Sequence, residues 1–509
     1  MDSLFKTHGT DVRDHLRHNI LPSNSEKNAI IESVTTARRL LSKIGTVESF
    51  ASDMLRCYIS DYSSLVSPIR RLPDDILETI FLHPEIHDFV KLGRVASGPS
   101  FVVDRHKPHI IASVSHHWRE VAVHAARLWS SFSFDGCRGE YTLRDLRLCL
   151  DRSKDAALDF TLDLSSGRRP NPVILDEITK HSERWVKFTL VAPPDPQYLQ
   201  VFAPVHGRLH RLEAIVLGYP PGNYDELASD VATWNAFEVA PRLTVLQLAI
   251  FRGGPVLPLP AHQIETISFV GSHSGSCGKV FSMFPHAREM AFISSGPPDF
   301  FYVPDVAPEP HLATRRIILG EALDNIPDRL NTPNLEELRI IDCLNWSRRI
   351  IPFMTRSACS LQTLVVHNTR VRGTELLALL RQVPTLDTLV LTELVPNSIT
   401  DLVLGPLTPL PGSPATQVVL PALTRLVVAG VYLFSTQVLM QMLEARHDAL
   451  VLVHITLHKE LGAAELERFA AFQTAGSWCL QYLDDQMKCV RIQKGKAAQL
   501  QSIVPAWCA

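Results

Sequence analysis

Apolar positions change their period twice along this chain, and each change predicts a different kind of element. Residues 1–22 are polar and irregular, which reads as a flexible tail. Ser23 and Glu26 form an S-x-x-E pair, the signature of a capping box opening a helix. Ile30, Val34, Ala37, Leu41 and Ile44 then recur at four and three residues, the spacing of a coiled-coil seam. Gly45 interrupts the seam, and Ala51, Leu55 and Tyr58 resume it. Residues 23–66 therefore read as one kinked helix or two, packed on the segment that follows or on a second copy.

The stretch 67–134 opens SPIRRLPDDILETIFLHP and closes ASVSHHWREVAVHAARLWSSF. Pro73 suits a first helical turn, where its missing N–H costs nothing, and Asp74 and Asp75 place negative charge at the positive end of the helix dipole. Ile76, Leu77, Ile80 and Phe81 follow at helical spacing. Val114, Trp118, Val121, Ala122 and Ala125 repeat the pattern, with Arg119 and Glu120 on the polar side, and Leu128 and Trp129 close it. Two short helices bury little of this surface against each other, so the surplus predicts a partner. A plain helical hairpin with two core tryptophans is the alternative.

From about Leu158 the period falls to two. Strands are predicted at LDFTLDLSS, WVKFTLVAP, LHRLEAIVLG, LTVLQLAIF, IETISFVG, REMAFISS, RRIILGE, LEELRIIDC, LQTLVVHNT, LDTLVLTEL and LTRLVVAGV, separated by turns rich in Pro and Gly. Several share an L-x-x-L-x-L frame: Leu335/Leu338/Ile340, Leu361/Leu364/Val366, Leu386/Leu389/Leu391 and Leu423/Leu426/Val428, with Leu243/Leu246/Leu248 and Leu212/Ile215/Leu217 beside them. The markers Leu338, Leu364 and Leu389 stand 26 and 25 residues apart, within the range of leucine-rich repeats, whereas Leu426 follows only after 37, with GPLTPLPGSP in between. Leu376, Leu377, Leu379 and Leu380 supply a covering helix. The expected fold class is α/β: an N-terminal helical segment and the helices of 67–134, then an irregular leucine-rich-repeat-like solenoid over 135–431 and a C-terminal cap over 432–509. Ordinary doubly wound α/β structure is the alternative. In the cap, STQVLMQMLEAR and AAELERFAAF read as helices and ALVLVHITLHK as a strand.

LPDDILETIF followed by VSHHWREVA and LW resembles the F-box, the helical module that docks a substrate receptor on the Skp-type adaptor of a cullin–RING ubiquitin ligase. The lead-in SPIRRLP is closest to the version found in many proteins of mushroom-forming fungi. The resemblance covers under a fifth of the chain, and residues 83–109 form an insertion where the family has a short link. It implies an adaptor-facing set of Leu72, Pro73, Ile76, Leu77, Ile80, Phe81, Val114, Trp118, Val121, Leu128 and Trp129, with a cullin reached through the adaptor.

Composition narrows the function further. The chain has 509 residues, 46% hydrophobic, 20% charged and a formal net charge of −3. These values describe an ordinary globular protein and give no reason to expect nucleic acid as a partner. Nine cysteines without a C-x-x-C, a charged N-terminus and no apolar run of bilayer length point to a cytoplasmic or nuclear protein without a membrane span.

No catalytic constellation emerges. GSHSGSCGK at 271–279 ends in Gly-Lys, yet His273 replaces the first glycine of a phosphate loop and Val280 the Ser or Thr that would hold magnesium. His83/His87 lack the glutamate of H-E-x-x-H, and His454/His458 on a strand lie ~13 Å apart, too far for one zinc. No enzyme activity, cofactor or metal is therefore expected. The expected function is target recognition within a Skp–cullin–F-box ligase, against an adaptor-binding scaffold outside degradation or an enzyme with a dispersed site. With the leucines of the frame pointing inward, the residues between them form the expected target face, led by Arg339, Val365, His367, Val390 and Arg425.

Overall fold

The structure is a computed structural model that describes residues 12–44, 50–82, 107–137, 140–166, 169–192, 201–218, 235–249, 258–270, 283–294, 309–321, 326–343, 346–369, 371–393, 399–409, 418–430, 433–457, 464, 467–468, 477–483 and 489–494. The chain divides into two compact units, Met1–Val191 and Ala192–Ala509. The boundary expected at 134/135 falls inside the first of these units.

The first unit opens on helix α1 (Val12–Arg17), inside the stretch expected to be a tail. Val12 and Leu16, one turn apart, pack against Ile30, Val34 and Leu65. Arg70 donates to the His15 carbonyl at 2.8 Å and Asn19 to the Arg70 carbonyl at 3.2 Å. Two apolar residues make too short a pattern to register as a period. Helices α2 (Asn24–Ile44) and α3 (Phe50–Leu65) follow, so the seam belongs to two helices. The Ser23–Glu26 box forms as expected, with the Ser23 N–H on Glu26 Oε2 at 2.8 Å. Ile30, Val34 and Ala37 of α2 are buried with Leu55, Tyr58 and Leu65 of α3, which occupies the seam within one chain.

After a 3-10 turn at Pro68–Arg71 come α4 (Asp74–Phe81), α5 (Lys107–Val114) and α6 (His116–His124). Val114 ends α5 and does not join the helix of Trp118, because Ser115 caps α6 by accepting from the Trp118 N–H at 3.1 Å. Helix α5 also takes in 107–109, the end of the expected insertion; 83–106 lie outside the described residues, His83 and His87 among them. Strands β1 (Ser131–Asp135), β2 (Leu158–Asp163) and β3 (Trp185–Val191) pair in parallel, with α7 (Glu140–Ser153) and α8 (Pro172–Lys180) as crossovers. Parallel strands need such crossovers. Phe160, Trp185 and Phe188 fill the space below with ring centroids 5.0–5.2 Å apart.

The second unit carries β4 (Ala214–Gly218), β5 (Val245–Ala249), β6 (Thr266–Val270), β7 (Glu289–Ser294), β8 (Arg316–Glu321), β9 (Glu337–Ile341), β10 (Thr363–His367), β11 (Thr388–Glu393), β12 (Arg425–Gly430), β13 (Leu452–Leu457), β14 (Ser477–Leu483) and β15 (Cys489–Lys494). Each pairs with the next in chain order, in parallel from β4 to β14, and β15 closes antiparallel. Helices α9 (Ser347–Ser357), α10 (Gly373–Leu380), α11 (Asp401–Leu404) and α12 (Thr436–Ala445) lie between the later strands. The fold class is α/β, and the eleven strands expected from Leu158 to Val431 correspond to β2–β12. The expected helix AAELERFAAF and the loop 271–279 lie largely or wholly outside the described residues.

Register explains the stacking. Leu338, Leu364, Leu389 and Leu426 align across β9–β12, and with Ile340, Val366, Leu391 and Val428 they are buried on one side of the sheet. The carbonyl just before each strand accepts two successive N–H groups of the next lead-in. Thus Glu336 O takes Gln362 and Thr363, Gln362 O takes Asp387 and Thr388, and Asp387 O takes Thr424 and Arg425. Side chains reinforce the ladder: Gln263 Nε2 donates to Ala240 O and Leu243 O at 2.6 and 2.9 Å, and Arg356 to Pro327 O and Leu330 O at 2.6 and 2.9 Å. Gly430, at φ +107°, needs its missing Cβ, which would overlap the Glu393 carbonyl on β11.

Candidate functional site

In the first unit the sequence halves on either side of residues 83–106 share one core. Leu77 and Phe81 of α4 bury with Ile111 of α5, Val121 and Ala122 of α6, and Ala125, Leu128 and Trp129 beyond it. Trp129 is fully buried; its indole N–H donates to the Ala122 carbonyl at 2.6 Å, and the Arg152 guanidinium sits 4.3 Å from its ring centroid. Phe81 and Trp118 meet at 4.9 Å. His117 Nε2 stands 3.3 Å from Asp74 Oδ1, tying α6 to the start of α4.

This core divides the eleven residues expected to face an adaptor. Leu77, Phe81, Val121, Leu128 and Trp129 are buried in the core. The surplus surface is smaller than two helices alone would leave, because Ile111 on α5 and the 3-10 turn at Ala126–Trp129 complete the core. Leu72, Ile80 and Trp118 are half-buried against its margin. Pro73, Ile76 and Val114 are exposed, and Ile110, one turn before Val114 on α5, joins them. Ile110 was not expected, since it follows directly on the stretch read as an insertion.

In the second unit the face opposite the leucine row is open in part. On β9 and β10 Arg339, Val365 and His367 are half-buried, and on β12 Arg425 is exposed with Asp387 3.6 Å away. Val390 is a correction: it is 1% exposed, as β11 is buried along both faces. Val427, Ala429, His454 and Thr456 are buried as well, so on this face of β12 only Arg425, at the start of the strand, is exposed. A period of two fixes the side to which a residue points and leaves open whether that side is covered. His367 Nδ1 lies 2.6 Å from Thr392 Oγ1, and burial lowers its pKa against the pull of Asp342. Arg316 on β8 pairs with Glu289 on β7 and, at 2.6 Å, with Glu337 on β9, while Arg339 Nε reaches Glu337 at 2.5 Å. Arg316 and Glu289 were not foreseen, because their strands lack the leucine frame; their register with Glu337 was the available signal.

The sequence matches no protein-family model and no curated protein. Among the described residues no group of three or more His, Cys, Asp or Glu side chains is placed to hold a metal ion. His454 packs inside β13, 3.0 Å from Thr456 Oγ1. No described helix is long and apolar enough to cross a membrane.

Proposed function

We propose that the chain is a non-catalytic substrate receptor of a Skp–cullin–F-box ubiquitin ligase. The first unit would hold the Skp-type adaptor and through it a cullin, and the second, read as an irregular leucine-rich-repeat-like solenoid, would hold the target protein. Such a receptor acts by raising the effective concentration of its target beside the ubiquitin-charged enzyme. The observation that carries the reading is the shared core of the first unit. Two motif halves separated by a long stretch pack together, leaving Pro73, Ile76 and Val114 exposed and Leu72, Ile80 and Trp118 at the margin. The in-order parallel strands with an inward leucine row support the solenoid assignment.

Ile76→Asp combined with Val114→Asp alters two exposed side chains and should leave the fold intact. Co-purification of a Skp-type adaptor should fall about thirtyfold, since removing an interface anchor costs about 2 kcal/mol. Unchanged adaptor binding by the folded double variant would overturn the F-box assignment. Cullin recovered with the wild-type chain separates a receptor from an adaptor-binding scaffold.

A further inference from the structure

On the open part of the second unit's sheet, four charged side chains form one chain across three strands: Glu289, Arg316, Glu337 and Arg339. Two carboxylates meet two guanidinium groups, and the two guanidinium groups are engaged to different extents. Glu337 is largely buried, at 15% exposure, and both of its oxygens are taken, one by Arg316 Nε and one by Arg339 Nε. Arg339 spends only Nε on this contact. Its two terminal nitrogens make no hydrogen bond to a described residue, and the side chain is 39% exposed. Arg339 thus keeps its two terminal nitrogens as donors beside a Glu337 whose two oxygens each already accept one bond.

Register places Ile318 on one side of Arg339 and Val365 on the other. Both are half-buried, and each stands one strand spacing away, about 4.8 Å. A planar fork of donors between two partly covered apolar residues suits a doubly acceptor-bearing anion on an otherwise apolar segment.

We infer that Arg339 is the anchoring residue of the target-binding face and receives an acidic group, carboxylate or phosphate, from an extended target segment with apolar side chains within two residues of that group. The inference rests on reading the second unit as the target-binding part. It also shifts the recognition face away from β11–β13, where Val390 and Val427 are buried, toward β8–β10.

The probe is a phage-displayed library of random dodecapeptides selected on the full-length chain, with selected peptides synthesised and their affinities measured by fluorescence polarisation. Enriched peptides should carry Asp or Glu beside apolar residues. Their affinity should fall about tenfold or more on Arg339→Gln and by a similar factor when the peptide's acid becomes its amide, with little further loss when both changes are combined. Replacing the acid by phosphoserine distinguishes the two sources: tighter binding assigns phosphate, weaker binding carboxylate. Arg339→Lys keeps the charge without the fork and should recover only part of the affinity. Failure to enrich peptides on the wild-type chain, enrichment without an acidic residue, or equal binding to folded Arg339→Gln overturns the inference. Adaptor co-purification, measured on the same two proteins, should not differ between them; its absence from the wild type would sink the receptor reading and leave the peptide result standing.

Discussion

Trp129→Ala is expected to destabilise the first unit by about 3–5 kcal/mol, the range for emptying a buried aromatic site. Trp129 has no exposed surface, and its ring lies in the cluster that joins α4, α5 and α6. Truncation leaves a cavity, removes the donor to the Ala122 carbonyl and strips the Arg152 guanidinium of its ring. Trp129→Phe retains most of the volume but loses that hydrogen bond, and should cost less. Ile76→Ala, on an exposed residue, should stay within about 0.5 kcal/mol of wild type. Urea unfolding followed by tryptophan fluorescence, read at the transition of the first unit, ranks the three. A Trp129→Ala midpoint equal to wild type would show that the two motif halves do not share a core.

The second large effect is expected at Arg446. Its side chain is 3% exposed, and its guanidinium donates to three main-chain carbonyls: Leu407 at 2.5 Å, Val419 at 2.6 Å and Leu420 at 2.9 Å. Desolvation lowers its pKa to about 10, so the group remains charged at neutral pH. It ties Leu407, near the start of the insertion that stretches the repeat spacing to 37 residues, to Val419 and Leu420 beyond that insertion. Arg446→Ala takes the donor from the Leu407 and Val419 carbonyls, while the Leu420 carbonyl still accepts from the Leu423 N–H at 3.3 Å; at about 1 kcal/mol or more for each carbonyl left without it, a loss of about 2–3 kcal/mol is expected. Arg446→Lys offers a point donor in place of a fork and should recover a minority of it. Arg446→Met keeps volume and removes the charge, and should remain well below wild type because the Leu407 and Val419 carbonyls still lack their donor. Limited proteolysis supplies the local readout: cleavage between Leu407 and Val419 should accelerate in Arg446→Ala before the rest of the unit opens. Cleavage at the wild-type rate would show that Leu407, Val419 and Leu420 are held by other contacts.

Much of the architecture follows from local pattern. The period-two runs from Leu158 to Val431 each become a strand, and the frame Leu338-x-Ile340, repeated at Leu364, Leu389 and Leu426, settles which side of each strand is buried. Backbone geometry alone sends alternate side chains to opposite faces, so this information needs no neighbours. The capping box at Ser23–Glu26 and the start of α4 after Pro73 are local for the same reason. What tertiary structure decided is coverage. Leu77 and Trp129 are as apolar as Ile76 and Val114, yet the first pair is buried and the second exposed. The difference comes from Ile111 and Leu128, brought in from distant or irregular segments. Val365 and Val390 occupy matching registers on adjacent strands, and only Val365 retains exposure. The link between Arg316 and Glu337 depends on pairing across 21 residues, and the seat of Arg446 on carbonyls as many as 39 residues away. Such contacts depend on how neighbouring strands and turns are placed in space, which a short-range period does not carry.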